Sequence, residues 1–122
     1  YQNKVVATIL IVEDDPRIVA FMPKGLKRAG YQIKAVGDGY EALSLTTSRE
    51  FDLILLDLGL PSLDGKSVLS ATRSQGIQTP VIVVTALSGD DEREQALSLG
   101  ANDYITKPFS FRTLLNSIRN YI

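Results

Sequence analysis

The sequence predicts an α/β fold: a five-stranded parallel sheet with helices on both faces. Three observations predict it. Short β-branched runs bounded by turn residues alternate with helical patterns five times along the chain. Runs such as Ile9-Leu10-Ile11-Val12 and Val81-Ile82-Val83-Val84 do not alternate with polar residues, as strands buried on both faces require. The chain has 122 residues, 44% apolar and 22% charged, which is the length and composition of one globular domain. There is no repeat, low-complexity run or linker. The expectation is a single domain over residues 1–122, with residues 1–6 a loosely ordered N-terminal extension.

The strands are expected at Thr8–Val12, Gln32–Val36, Leu53–Leu56, Val81–Val84 and Tyr104–Thr106. The first helix starts at Asp15-Pro16, an N-cap followed by proline at the first helical position, and ends before Gly30. The second runs from about Tyr40 to Ser48. The third follows Asp64-Gly65 and ends before Gly76. The fourth starts near Asp90 and stops at Gly100. The fifth runs from Ser110 to the C-terminus with Leu114, Leu115, Ile118 and Ile122 on one face. One local conflict appears. Pro23 lies inside the first helix, where proline costs about 3 kcal/mol. A kink or break is expected near Phe21–Pro23.

Composition removes several kinds of chemistry. Without cysteine there are no disulfides, thiolate metal sites or cysteine nucleophiles. Without histidine the commonest general base and transition-metal ligand are gone. Any metal must be held by oxygen, which points to Mg²⁺, Ca²⁺ or Mn²⁺. A net charge of −1 gives no global reason to bind nucleic acid or an anionic membrane. The apolar runs are too short to span a bilayer, and polar Tyr1–Lys4 shows no signal-peptide pattern. A cytoplasmic location without membrane contact is expected.

The informative feature is where the apolar strands stop. The first stops at Glu13-Asp14-Asp15, the third at Asp57, the fourth at Thr85 and the fifth at Lys107-Pro108. In an open α/β sheet, ligands bind beyond the carboxyl ends of the strands. Taken singly, each residue has a structural explanation: an N-cap, a turn, a β-branched strand residue, a solvated lysine. Together at one edge they describe a site. Carboxylates at Glu13, Asp14 and Asp57 would repel one another unless a cation intervened, and hard oxygens suit Mg²⁺. Lys107 adds a mobile charge suited to a phosphate oxygen, and Thr85 adds a hydroxyl. Asp57 can then act as a nucleophile that forms an acyl phosphate.

These residues resemble the receiver domain of two-component response regulators over about residues 7 to 122. The matching segments are Ile9–Asp15, Leu56–Pro61 with Asp64-Gly65, Val83–Ala86, Gly100–Tyr104 and Lys107-Pro108-Phe109. The resemblance implies a doubly wound, flavodoxin-like sheet in the order 2-1-3-4-5 with five helices. It implies that Asp57 is the phosphoacceptor. Glu13, Asp14, Asp57 and the backbone carbonyl of Gly59 would hold Mg²⁺, with Mn²⁺ as a substitute. Thr85 and Lys107 would contact the phosphoryl group, with small Ala86 leaving room for it. Thr85 and Tyr104 would form the switch, the tyrosine turning inward as the threonine moves. Pro108 would follow a cis peptide bond.

The resemblance also implies partners. A sensor histidine kinase, a phosphotransfer protein or a small phosphodonor would supply the phosphoryl group. The branch with glutamate at position 13 and a Leu-Pro turn after the acceptor regulates transcription, so DNA contact is expected only through a domain not in this chain. That branch dimerises through its fourth helix, fifth strand and fifth helix, and Arg93, Asp103 and Arg119 resemble its charged face. Arg112 departs from that face, which commonly has an acid there. The product is a stoichiometric switch rather than a turnover enzyme. Gly59 offers no side chain to orient an attacking water and Leu87, the corresponding neighbour on the other side, is apolar, so the phosphoryl lifetime is not expected to be especially short.

Three other functions compete. A phosphatase with a strand-end aspartate nucleophile needs a second aspartate two residues on, where Gly59 stands. A flavin-binding redox protein needs a hydroxyl- and glycine-rich phosphate loop after the first strand, where Glu13-Asp14-Asp15 would repel phosphate. A receiver-like module that only binds proteins and is never phosphorylated has no such obstacle.

Overall fold

A computed structural model describes residues 6–122, so all but Val6 of the expected N-terminal extension lies outside the described residues. Five strands and five helices alternate along them: β1 (Thr8–Val12), α1 (Pro16–Arg28), β2 (Gln32–Val36), α2 (Gly39–Thr46), β3 (Leu53–Leu56), α3 (Gly65–Ser74), β4 (Val81–Thr85), α4 (Asp90–Ser98), β5 (Asp103–Thr106) and α5 (Phe111–Arg119). The sheet is wholly parallel, in the order β2-β1-β3-β4-β5. The order reverses at β1, whose neighbours are β2 and β3, and this opens a crevice at the carboxyl ends of β1 and β3. Register brings Val12 level with both Val36 and Leu56, so the chain leaves both central strands at the same height.

The pleat divides the apolar strand residues between two cores. Ile9, Ile11, Leu53, Leu55, Ile82 and Val84 face α1 and α5, where Met22, Leu26, Leu114 and Ile118 pack against them. Leu10, Val12, Ile54, Leu56, Val81 and Val83 face the other way, toward Ala42, Val68, Leu69 and Ala96 of α2, α3 and α4. β1, β3 and β4 are therefore buried on both sides, as their unbroken apolar runs require.

Of the kink or break expected near Phe21–Pro23, the break does not occur. α1 continues through Pro23 to Arg28. The proline costs one backbone bond, to the Val19 carbonyl, and Val19 lies on an exposed stretch where water can take the missing donor's place. Met22 and Leu26, both fully buried, anchor the turns on either side in the core. Smaller corrections fall at element ends. α2 begins at Gly39 and stops at Thr46, two residues short of Ser48, while β4 extends to Thr85 and β5 starts at Asp103. In α5, Ser110 is the N-cap rather than the first helical residue. Ile122 lies past the helix and is 38% exposed, so it does not share the buried face of Leu114, Leu115 and Ile118.

Candidate functional site

Each strand end delivers its side chain through a specific local device. Beyond β1, the Glu13 N–H donates to the Val36 carbonyl at 2.9 Å, which prolongs the ladder by one residue and carries Glu13 into the interior. Asp15 then turns outward to cap α1, its carboxylate accepting from the Arg17 N–H at 2.9 Å and pairing with the Arg17 guanidinium. Beyond β3, the Asp57 N–H donates to the Val12 carbonyl at 2.9 Å and so places Asp57 beside the end of β1. The next turn is tight: the Gly65 N–H donates to the Leu58 carbonyl at 3.0 Å. A Cβ on Gly65 would lie 2.3 Å from the Asp57 carbonyl oxygen, so only glycine fits there.

Glu13 and Asp57 are buried, whereas Asp14 is exposed. Each of the three offers one carboxylate oxygen within 4.8 Å of the others. Lys107 reaches over from the end of β5, with Nζ 2.7 Å from Glu13 Oε1 and 3.3 Å from Asp57 Oδ2. The other oxygen of Asp57 accepts the Gly59 N–H at 3.2 Å, and the other oxygen of Glu13 accepts the Asp15 N–H at 3.0 Å. Burial pushes Glu13 up from 4.5 to about 7, against the opposing pull of Lys107 and the Asp15 N–H and with some help from Asp57. Burial pulls the Lys107 ammonium down, but Glu13 and Asp57 more than offset this, and its pKa is raised overall. An all-oxygen donor set whose most buried member is uncomfortable as an anion fits a hard divalent cation.

Thr85 ends β4 with almost no exposure. Its Oγ1 accepts the Leu87 N–H at 3.3 Å, which leaves its single hydroxyl proton free to donate elsewhere. The Lys107 N–H donates to the Thr85 carbonyl at 2.7 Å and ties β4 to β5 beside the site. The Lys107–Pro108 peptide bond is cis. Ala86 and Lys107 line a cleft of about 560 Å³ together with Ile18, Phe21, Pro108 and Phe109.

Tyr104 is buried against the α4 side of the sheet, with its hydroxyl donating to the Leu87 carbonyl at 2.6 Å. Burial raises its pKa, Glu92 adds to the rise and Arg93 opposes it. Arg93 is exposed and donates to the Tyr104 carbonyl at 3.3 Å, and Arg119 is exposed on α5. Asp103 is occupied internally, accepting from the Tyr104 N–H at 2.8 Å and from the Ser117 hydroxyl.

The structure thus brings Glu13, Asp14, Asp57 and Lys107 together, with Gly59 against Asp57. Thr85 joins the group through the backbone of Lys107 rather than by a side-chain bond. Sequence reasoning took Leu87 only as an apolar neighbour of the site and had no view of its main chain, whose N–H and C=O are held by Thr85 and Tyr104 respectively. A residue that acts through its main chain leaves no mark in side-chain chemistry. Asp38 and Ser62, joined at 3.1 Å beside the Asp57 turn, also escaped it.

Comparisons with known proteins agree with this geometry. The family model for the response regulator receiver domain matches residues 9–119. The transcriptional regulatory protein HprR of Escherichia coli is 45% identical over 111 residues, which is 91% of this chain and 49% of that protein. The probable transcriptional regulatory protein SilR of Salmonella typhimurium is 39% identical over 114 residues, 93% of this chain and 50% of that one. The chain therefore spans about half the length of the curated relatives it matches. Among solved structures, the receiver domain of the Francisella response regulator 1452 superposes with a TM-score of 0.89 at 35% identity, covering 94% of this chain and 95% of that one. The receiver domain of the sensor histidine kinase PA1611 from Pseudomonas aeruginosa, which has a magnesium ion coordinated in its active-site cleft, gives 0.87 at 34% identity and covers 96% and 98%. The chain belongs to the response regulator receiver domain family of two-component signal transduction.

Proposed function

We propose that Asp57 accepts a phosphoryl group and that the acceptor works with a divalent cation, Mg²⁺ or in its place Mn²⁺. The observation that carries this is the burial of the Asp57 carboxylate within 4.8 Å of Glu13 and Asp14, with Lys107 reaching it from β5. Glu13, Asp14, Asp57 and the Gly59 carbonyl would hold the cation, which supplies charge neutralisation for the incoming phosphoryl oxygens. A carboxylate oxygen of Asp57 attacks phosphorus. The bond from phosphorus to the donor's nitrogen or oxygen breaks, and the leaving group departs with that bonding pair.

Lys107 and the free hydroxyl proton of Thr85 would receive the phosphoryl oxygens, and Ala86 leaves them space. Phosphorylation adds close to two negative charges at neutral pH. Thr85 drawn toward that charge would carry Leu87 with it, and Leu87 also holds the Tyr104 hydroxyl. The switch would therefore bias the position of the β4–α4 segment and of the α4–β5–α5 face, including Arg93 and Arg119. Asp103 would enter a homodimer pairing with its bond to Ser117 already made.

The donor would be a sensor histidine kinase, a phosphotransfer protein or a small acyl phosphate in the cytoplasm. The output would be transcription, through a DNA-binding domain outside this chain, as the names of the relatives suggest. Asp57 has no second carboxylate two residues on, so the reaction is stoichiometric and not a turnover.

Intact mass spectrometry after incubation with acetyl phosphate and Mg²⁺ tests the proposal. Wild type should gain one phosphoryl group and Asp57→Ala none. No gain in wild type, or an equal gain in the variant, overturns it.

A further inference from the structure

The segment from Asp57 to Asp64 contains Gly59, whose carbonyl the proposed function assigns to the cation. This segment is clamped at two places. On one side the Gly65 N–H holds the Leu58 carbonyl, and the Leu58 and Leu60 side chains are buried. On the other side it rests on the corner between β2 and α2. There the Ser62 hydroxyl donates to Asp38 Oδ2 at 3.1 Å, while Asp38 Oδ1 caps α2 by accepting the N–H groups of Tyr40 at 2.7 Å and Glu41 at 3.2 Å. The Leu63 backbone presses on Gly39 so closely that a Cβ there would lie 1.9 Å from the Leu63 carbonyl oxygen.

The Ser62 backbone makes this contact unusual. Its φ is +64°, in the left-handed region that glycine adopts without strain and serine does not. Turn chemistry alone would favour glycine at this position. The serine contributes a hydroxyl, and that hydroxyl goes to Asp38, 24 residues earlier in the chain. The bond ties the middle of the loop to a carboxylate already fixed by a helix N-terminus. The Asp38 carboxyl is held below its ordinary value, by the Glu41 and Tyr40 N–H groups first and by Ser62 next.

We propose that Ser62, through its bond to Asp38, is a positioning residue that holds the Gly59 carbonyl in place for the divalent cation. This rests on the assignment of Gly59 to the cation. Groups that orient a metal ligand without touching the metal set its affinity by fixing the geometry before binding.

The test is calorimetric Mg²⁺ titration of the full chain, wild type against Ser62→Gly and Ser62→Ala, with the Gly59 amide followed by ¹H–¹⁵N NMR. Ser62→Gly tolerates the positive φ and removes the whole CH₂OH side chain, whereas Ser62→Ala removes the hydroxyl alone. The affinity of Ser62→Gly should fall about tenfold, with a displaced Gly59 amide signal, undiminished thermal stability and an unchanged rate of phosphorylation at saturating Mg²⁺. If Ser62→Gly binds Mg²⁺ within about twofold of wild type, the positioning role is wrong, whatever Ser62→Ala does. If wild type itself binds no Mg²⁺, the assignment of the metal ligands fails as well, which separates the two failures.

Discussion

Lys107 Nζ lies closer to Glu13 Oε1, at 2.7 Å, than to Asp57 Oδ2, at 3.3 Å. The lysine thus sits among the same carboxylate oxygens that a divalent cation would use, as an internal counter-ion. Cation binding and the Lys107–Glu13 pair are in competition, and a cation that took Glu13 would release the ammonium toward Asp57 and its phosphoryl group.

Lys107→Ala should therefore bind Mg²⁺ more tightly. A unit charge a few Å away contributes on the order of 1 kcal/mol or more at a protein-like dielectric, so Kd should fall at least about fivefold. Calorimetric titration reads this directly at pH 9, chosen because Glu13 is at about 7 in wild type and rises further once the pull of Lys107 is lost. Unchanged or weaker binding would show that Lys107 does not compete. The same variant should still be phosphorylated by acetyl phosphate, but the NMR shifts of Leu87 and Tyr104 on phosphorylation should shrink.

The raised pKa of Glu13 makes a second prediction. In the metal-free protein Glu13 rises from 4.5 to about 7. Between those values the folded chain holds a proton that the unfolded chain has released, so stability falls as pH rises through that window. Glu13→Gln removes the effect. The variant should match wild type near pH 4 and exceed it above pH 7, with a ceiling of about 3 kcal/mol that already includes the pull of Lys107. Lys107 itself is raised from 10.5, so its contribution is lost only above the window. Urea unfolding in a chelator from pH 4 to 8 measures the difference, and parallel curves would refute it. On the proposed cation site, Mg²⁺ should reverse the order by stabilising wild type.

The fold was legible because the strands at its centre are doubly buried. Only a parallel sheet with two covered faces needs runs as apolar as Ile9–Val12 and Leu53–Leu56, and both observed strands match. The convergence of Glu13, Asp57 and Lys107 was legible because strand ends in such a sheet share one edge. Side-chain chemistry at strand ends survives in sequence. Backbone roles do not, which is why the part played by the Leu87 main chain was missed. Contacts between loops do not either, which is why the Ser62–Asp38 bond was missed. Pro23 misled in the opposite direction only as to a break, since the helix runs on through it. Helix propensity is a local term of about 3 kcal/mol, and the burial of Met22 and Leu26 outweighs it.

Tyr104→Phe isolates one bond. It deletes the hydroxyl that reaches the Leu87 carbonyl at 2.6 Å and keeps the ring in its buried place. The Leu87 carbonyl then loses its partner on an exposed segment where water can replace it, so the cost should be small, about 1 kcal/mol. The effect on dynamics should be larger. The segment from Ala86 to Gly89 would keep the Leu87 bond to Thr85 and the Gly89 bond to Arg93 but lose the tyrosine's, and its amide exchange should speed up while that of β4 does not. Equal protection in both proteins would mean that the tyrosine hydroxyl does not restrain the segment.

Pro23→Ala should stabilise the domain. α1 already has helical geometry at position 23, so alanine can adopt it and restore an N–H to the Val19 carbonyl. The helix-interior penalty of proline is about 3 kcal/mol relative to alanine. Some of it is offset, because proline also restricts the unfolded chain by up to about 1 kcal/mol. A net gain of about 1–2 kcal/mol should appear as a rise in Tm of roughly 4–8 °C for a domain of this size. Asp57 and its neighbours lie outside α1, so Mg²⁺ affinity should not change. A fall in Tm would mean that the carbonyl at Val19 or the ring at Pro23 has a partner worth more than the hydrogen bond the proline removes.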